Sequence, residues 1–186
     1  WDREGYIPEA VAIAEATGRK LVIEYGGYQL LLPGEWGGPN RHTDAATINL
    51  SYFIPMTLEV MESLAPEYPW EAVYRDGYRL LDELIHPPSD WTNVNRYGEP
   101  NPAVGFPPLF SYDAVRIPLY LLMTGEEAPL VLEFLEEIWG PPRGDVIFPF
   151  HVLTMRRHDR FWGNAYHFIH ELLHCANTGE PVRLAA

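Results

Sequence analysis

The chain has 186 residues, 47% of them hydrophobic and 21% charged, so it can bury a sizeable core and is not disordered by composition. Its 26 acidic and 13 basic residues leave a formal charge of −13, which excludes a phosphate-tracking nucleic-acid binder and an anionic membrane surface as partners. No apolar run reaches the ~20 residues of a membrane-spanning helix. Its one cysteine, Cys175, excludes an internal disulfide or a cysteine-based zinc cluster. The first residue is Trp1, and no signal-peptide pattern follows it. A chain of this kind is expected to have had its N-terminus removed or to be a fragment.

In chain order, Ile7 to Thr17 reads as a short helix, with Pro8 in its first turn and Gly18 past its end. Leu21–Tyr25 and Tyr28–Leu32 flank Gly26-Gly27, a two-residue hairpin signal. A loop from Pro33 to Asn40 carries Trp36. Ser51 to Ala65 has helical apolar spacing, Pro69 opens a helix running to about Ile85, and Pro87-Pro88 stops it. Ser89 to Leu109, rich in Pro, Gly and Asn, reads as one long connection, and connections of that length are often functional. Helices are expected at about Asp113–Met123, Ala128–Trp139 and Trp162–Ala176. The predicted fold class is all-α, a single domain over residues 1–186, with about six helices in consecutive antiparallel pairs and one small β-hairpin. Nothing alternates as a parallel α/β sheet would.

Two constellations carry chemistry. His170-Glu171-Leu172-Leu173-His174 matches H-E-x-x-H, which on a helix sets two imidazoles on one face with a glutamate able to activate metal-bound water. A zinc peptidase also needs a third ligand. Asn177 and Glu180 stand where the extended pattern places Gly and His, and Glu180 and His167 are weak substitutes. The favoured reading is therefore an amphipathic helix with ordinary histidines, no metal and no cofactor, and the peptidase is kept as the rival.

The second constellation is Ser111-Tyr112-Asp113-Ala114-Val115-Arg116. The spacing predicts Asp113 at the N-terminal edge of an apolar helix, where unpaired N–H groups and the helix dipole favour a carboxylate. Arg116, three residues on, lies over the same face and can orient it. Both effects are expected to hold Asp113 ionised at neutral pH, as a general base acting on water requires. From these residues alone a plain N-cap aspartate in a helix ion pair is the favoured reading. Pro118 limits the first helical turns.

This segment, together with three others in order, resembles glycoside hydrolase family 8. The others are Leu31-Leu32-Pro33-Gly34, then Ile48-Asn49-Leu50-Ser51-Tyr52-Phe53-Ile54-Pro55, then Ser89-Asp90-Trp91. The likeness is greatest to the periplasmic endo-1,4-glucanases of bacterial cellulose synthesis, and it covers only the C-terminal portion of such an enzyme. It implies about half of an (α/α)6 toroid and an inverting endo-hydrolase acting on a β-1,4-glucan polysaccharide or oligosaccharide. It also implies a periplasmic or secreted location. The catalytic acid of the family lies upstream of anything present, so a second chain carrying the N-terminal half is a possible partner, and a non-catalytic carbohydrate-binding lobe is the third reading.

By the same resemblance Asp113 is the base, Arg116 its orienting cation and Tyr52 the tyrosine that holds the attacking water or the distorted sugar. Tyr112 lines the same subsite. Trp36, Trp91 and Tyr97 offer ring faces to pyranose rings, and Asn49 and Asp90 are candidate partners for sugar hydroxyls. Glu35, on the Trp36 loop, is not where the family places its acid.

Overall fold

The computed structural model describes residues 4–39, 44–124, 131–140, 147–159, 161 and 164–182. Helix α1 spans Ile7–Leu21, and strands β1 (Val22–Tyr25) and β2 (Tyr28–Leu31) form the predicted hairpin. Gly26 and Gly27 take φ of 60° and 79°, the left-handed pair that a two-residue turn of this twist requires. After β3 (Ala45–Ile48), α2 (Pro55–Leu64) and α3 (Trp70–Glu83) complete the N-terminal helical layer. Helix α2 starts at Pro55 rather than Ser51, because Leu50–Tyr52 forms a 3-10 turn capped by the Asn49 side chain. Proline at the first helical position gives up only an N–H that would have no helical partner.

Helix α3 buries Trp70, Val73, Gly77, Leu80 and Leu81 on one stripe. At Gly77 a Cβ would sit 2.3 Å from the Phe53 ring, so the glycine is what lets α3 close on that ring. Asp76, 2% exposed, accepts the Gln29 backbone N–H at 2.7 Å and pins β2 to this helix.

The stretch read as one long connection is largely strand. Strands β4 (Thr92–Asn95) and β5 (Pro100–Pro102) pair antiparallel, and β3 pairs with β4, giving the order β3-β4-β5. Pro100 and Pro102 argue against a strand by composition, yet they lie on the outer strand, where a missing donor costs no ladder bond. The β4–β5 turn meets the β1–β2 turn backbone to backbone: a Cβ at Gly26 would lie 2.6 Å from the Asn95 oxygen, and one at Gly98 2.6 Å from the Gly26 oxygen. Two short strands, β6 (Leu109–Phe110) and β7 (Phe150–His151), pair and stack Phe110 on Phe150 at 5.0 Å. The predicted helical frame is present, and the single hairpin is corrected to three small antiparallel sheets among the described residues.

The C-terminal helices are α4 (Arg116–Thr124), α5 (Val131–Trp139) and α6 (Asn164–Thr178). The predicted starts of α5 at 128 and α6 at 162 lie outside the described residues. Helices α1 and α2, α2 and α3, and α5 and α6 pack as sequence neighbours. Helix α4 packs chiefly on α6 and also touches α2, which ties the two layers through one core running from Leu30 and Trp70 to Phe110, Leu135 and Leu173.

Candidate active site

Helix α4 begins at Arg116, three residues later than its apolar spacing predicts, and Asp113 lies in the turn before it. Pro118 cannot donate to the Ala114 carbonyl, and that oxygen is taken at 3.0 Å by Ile117 N–H, one residue earlier than an α-helix would. Arg116 N–H bonds the Asp113 carbonyl in the same tighter pattern at 3.1 Å.

The carboxylate that satisfies the free N–H groups of this turn is Asp90, not Asp113. Its Oδ1 accepts from Ser111 N–H at 2.9 Å and from Ala114 N–H at 2.8 Å. Its own backbone N–H donates to the Leu109 carbonyl at 2.7 Å. Burial pushes the Asp90 carboxyl above the usual carboxylate range, against the pull of the N–H donors, and the Asp113 charge nearby adds to the rise. The expectation that Asp90 serves sugar hydroxyls is corrected to this extent: one of its oxygens is committed to the protein backbone.

Asp113 itself reaches solvent, its side chain 29% exposed. The Arg116 guanidinium pairs with Asp113 Oδ1 and also donates to Ser51 Oγ at 3.0 Å. Ser51 Oγ in turn donates to Asn49 Oδ1 at 2.7 Å, and Ser51 N–H to the same atom at 3.0 Å. Asn49 is only 3% exposed. It is corrected from a sugar partner to the inner end of a hydrogen-bonded chain, Asn49–Ser51–Arg116–Asp113, which fixes the direction of one carboxylate oxygen.

Rings adjoin this chain in sequence, Tyr52 after Ser51 and Tyr112 before Asp113. Tyr52, next to Ser51, is exposed and meets Trp91 edge-on at 6.4 Å. Trp91 lies 5.4 Å from Trp36 and stacks on Phe106 at 4.8 Å, building a continuous aromatic wall. Trp36 is 56% exposed, on the 3-10 turn Glu35–Gly37. Tyr112, also exposed, sits edge-on to Phe161 at 5.2 Å and near Tyr166 at 5.8 Å.

Thus Arg116 joins Asp113 to Ser51, and Tyr52, the residue after Ser51, joins the Trp91–Trp36 wall, while Tyr112, beside Asp113 in sequence, packs on Phe161 and Tyr166. Tyr97 joins neither group. It is exposed on the β4–β5 turn and lines a separate groove with Gly26, Tyr28, Arg79 and Glu83. Glu35 is exposed and lies 3.9 Å from Lys20.

Sequence reasoning missed Phe106, Ser51, Phe161 and Tyr166. Phe106 stands in Gly105-Phe106-Pro107, the same ring-in-a-loop signal that pointed to Trp36 and Trp91. The hydroxyl of Ser51 carries no signal beyond its place beside Tyr52.

The His170–His174 helix is built differently. His170 is buried, and its Nε2 lies 2.7 Å from the Gly140 carbonyl. Burial lowers its pKa. His174 directs Nδ1 at Glu136 Oε1, a hydrogen bond that raises its pKa, and its Nε2 lies 3.7 Å from Glu180. The two imidazoles face different protein acceptors across the α5–α6 contact, and no group of three or more metal-ligating side chains occurs among the described residues. These donors do not fit a zinc centre.

Comparison with known proteins supplies the remaining findings. The family model described as Glycosyl hydrolases family 8 matches residues 1–138. A probable endoglucanase of Novacetimonas hansenii is 35% identical over 145 residues, which is 75% of this chain and 42% of that protein. An endoglucanase of Cellulomonas uda is 31% identical over 147 residues, 77% of this chain and 40% of that protein.

Among solved structures, the endo-β-1,4-glucanase CMCax of Acetobacter xylinum superposes with a TM-score of 0.83 at 30% identity, covering 92% of this chain and 55% of that one. A family 8 endo-β-1,4-glucanase from an Achatina fulica gut metagenome also reaches 0.83, at 29% identity, covering 100% of this chain and 58% of that one. The chain thus spans about two fifths of the length of the curated relatives it matches.

Proposed function

Because the chain belongs to glycosyl hydrolase family 8, we propose that it carries the base side of an inverting endo-β-1,4-glucanase site, within about half of an (α/α)6 toroid. The observation that carries this reading is the solvent-reaching Asp113 carboxylate, held by an Arg116 guanidinium that also bonds Ser51, the neighbour in sequence of a Tyr52 that meets the aromatic wall at Trp91.

In this reading Asp113 takes a proton from a water molecule as that water attacks the anomeric carbon. The glycosidic C–O bond breaks and the leaving oxygen gains a proton from an acid. The two carboxyl groups of an inverting pair stand ~6.5–9.5 Å apart to admit the water. The acid is supplied by the part of the relatives' length that this chain does not span, in the same polypeptide or in a partner chain. Arg116 prevents Asp113 from rotating, since Ser51 fixes the guanidinium from behind. Tyr52 and Tyr112 border the water and the sugar at the point of cleavage. Trp36, Trp91 and Phe106 present apolar ring faces to the C–H faces of successive glucose units. The endoglucanase names of the relatives support a β-1,4-glucan as substrate, and a polymer of that kind lies outside the cytoplasm, where an enzyme acting on it would be periplasmic or secreted.

The test isolates the base from the missing acid. β-Cellobiosyl fluoride has a leaving group that needs no proton donor, so this chain alone is expected to release fluoride from it, with inversion, and Asp113→Asn is expected not to. Carboxymethylcellulose is expected to be cleaved only when the remaining length is supplied. Oligosaccharide binding without fluoride release would identify a non-catalytic carbohydrate-binding lobe instead.

A further inference from the structure

We infer that Asp90 is the positioning residue for the catalytic base: its carboxylate sets the Ser111–Ala114 turn, and with it the placement of Asp113 and Tyr112. This rests on Asp113 being the base.

The argument is geometric. Asp113 precedes α4, in a turn whose carbonyls are taken by Val115 N–H on Ser111 at 3.0 Å and Arg116 N–H on Asp113 at 3.1 Å, while the Ser111 and Ala114 N–H groups find no backbone partner in it. Their acceptor is Asp90, 21 and 24 residues away from them, whose Oδ1 receives both Ser111 N–H and Ala114 N–H and so brackets Tyr112 and Asp113. A second attachment comes from the Asp90 backbone, whose N–H bonds the Leu109 carbonyl, and Asp90 thereby grips the segment just before the turn as well.

The next residue is Trp91, the centre of the aromatic wall. Its carbonyl is held from both sides, by Ser89 Oγ at 2.6 Å and by Ala103 N–H at 2.9 Å. The dipeptide Asp90-Trp91 therefore sets the distance between the surface on which a sugar would rest and the carboxylate that would activate water. Displacement of a reacting group by about 1 Å costs on the order of a hundredfold in rate. An error of that size needs only a one-methylene change at Asp90.

Three variants and two measurements test this. Asp90→Asn keeps a side-chain oxygen for the two N–H groups, Asp90→Glu keeps the charge but moves it by one methylene, and Asp90→Ala removes the acceptor. Amide exchange at Ser111 and Ala114, followed by NMR, needs no turnover. It is expected to accelerate about tenfold in the Ala and Glu variants and to stay at the wild-type rate in Asn. On β-cellobiosyl fluoride, kcat is expected to fall about a hundredfold in the Glu and Ala variants with KM within about threefold, and to be rescued in Asn. An ordinary stabilising carboxylate would not split kcat from KM in this way.

Unchanged exchange at the two amides in Asp90→Ala overturns the assignment, as does an Asn variant as impaired as Ala. If Asp90→Ala fails to fold, the Glu and Asn pair decides. Full turnover in Asp113→Asn overturns the base reading itself. Loss in Asp113→Asn with full turnover in Asp90→Glu overturns the positioning role alone.

Discussion

The Asp113 turn and the His170–His174 helix both present a chemically suggestive motif, and they differ in where their polar atoms point. At Asp113 the hydrogen bonds come from behind: Asn49, Ser51 and Arg116 form a chain that ends on a carboxylate open to solvent. At the histidines the bonds tie the rings to the protein, His170 Nε2 to the Gly140 carbonyl and His174 Nδ1 to Glu136, and no third ligating side chain joins them among the described residues. A motif is chemically competent when its support comes from the side away from the substrate. It is structural when its functional atoms are themselves the points of attachment.

The largest expected effect on that contrast is from Asp113→Asn, which should lower kcat by about 10²–10⁴-fold, the range for losing a general base, while cello-oligosaccharide affinity by calorimetry stays unchanged. Next is Ser51→Ala. It frees Arg116 on one side and is expected to reduce kcat about tenfold with little change in melting temperature, because one charge-assisted hydrogen bond is lost. Trp91→Ala acts on binding instead, weakening oligosaccharide affinity by about 1 kcal/mol, roughly fivefold in Kd. A change in kcat larger than that in Kd would show that the wall does more than hold sugar.

The smallest effect belongs to the histidine helix. His174 has a raised folded-state pKa, so its pairing with Glu136 stabilises fully below the unfolded value of about 6.5 and is lost as pH rises through the folded one. For His170, with its lowered pKa, the sign is opposite: the contribution is present above about 6.5 and is lost as pH falls through the folded value. Melting temperature against pH should therefore decline on both sides of that point. In His174→Gln the alkaline decline should disappear while fluoride release from β-cellobiosyl fluoride stays at the wild-type rate. Loss of turnover in that variant would erase the distinction between the two regions.

Legibility from sequence followed the range of the interactions. The β1–β2 hairpin and α1 to α3 are written in neighbouring residues, the paired glycines and prolines at helix starts among them. The β3-β4-β5 sheet was hidden because its outer strand is spelled Pro100-Asn101-Pro102, a composition that excludes a central strand and permits an edge. The start of α4 was misplaced by three residues because apolar spacing does not register that Pro118 leaves the Ala114 carbonyl to a tighter bond. Asp113, Arg116, Tyr52, Tyr112, Trp36 and Trp91 could be named as candidates by motif. The roles of Asp90 and Asn49 were not, since each depends on which donors the fold delivers to an oxygen, and those of Asp90 lie 21 and 24 residues away.

The contact between the tips at Gly26 and Gly98 couples two loop lengths that have no reason to be related in sequence. With each backbone filling the space a side chain would need at the other, an inserted residue in either turn would push the sheet leading back to Trp91 away from the hairpin held by α3. Length variation among natural versions of this chain should therefore be absent at both tips or occur at both together, a covariation that sequencing of close relatives can read directly.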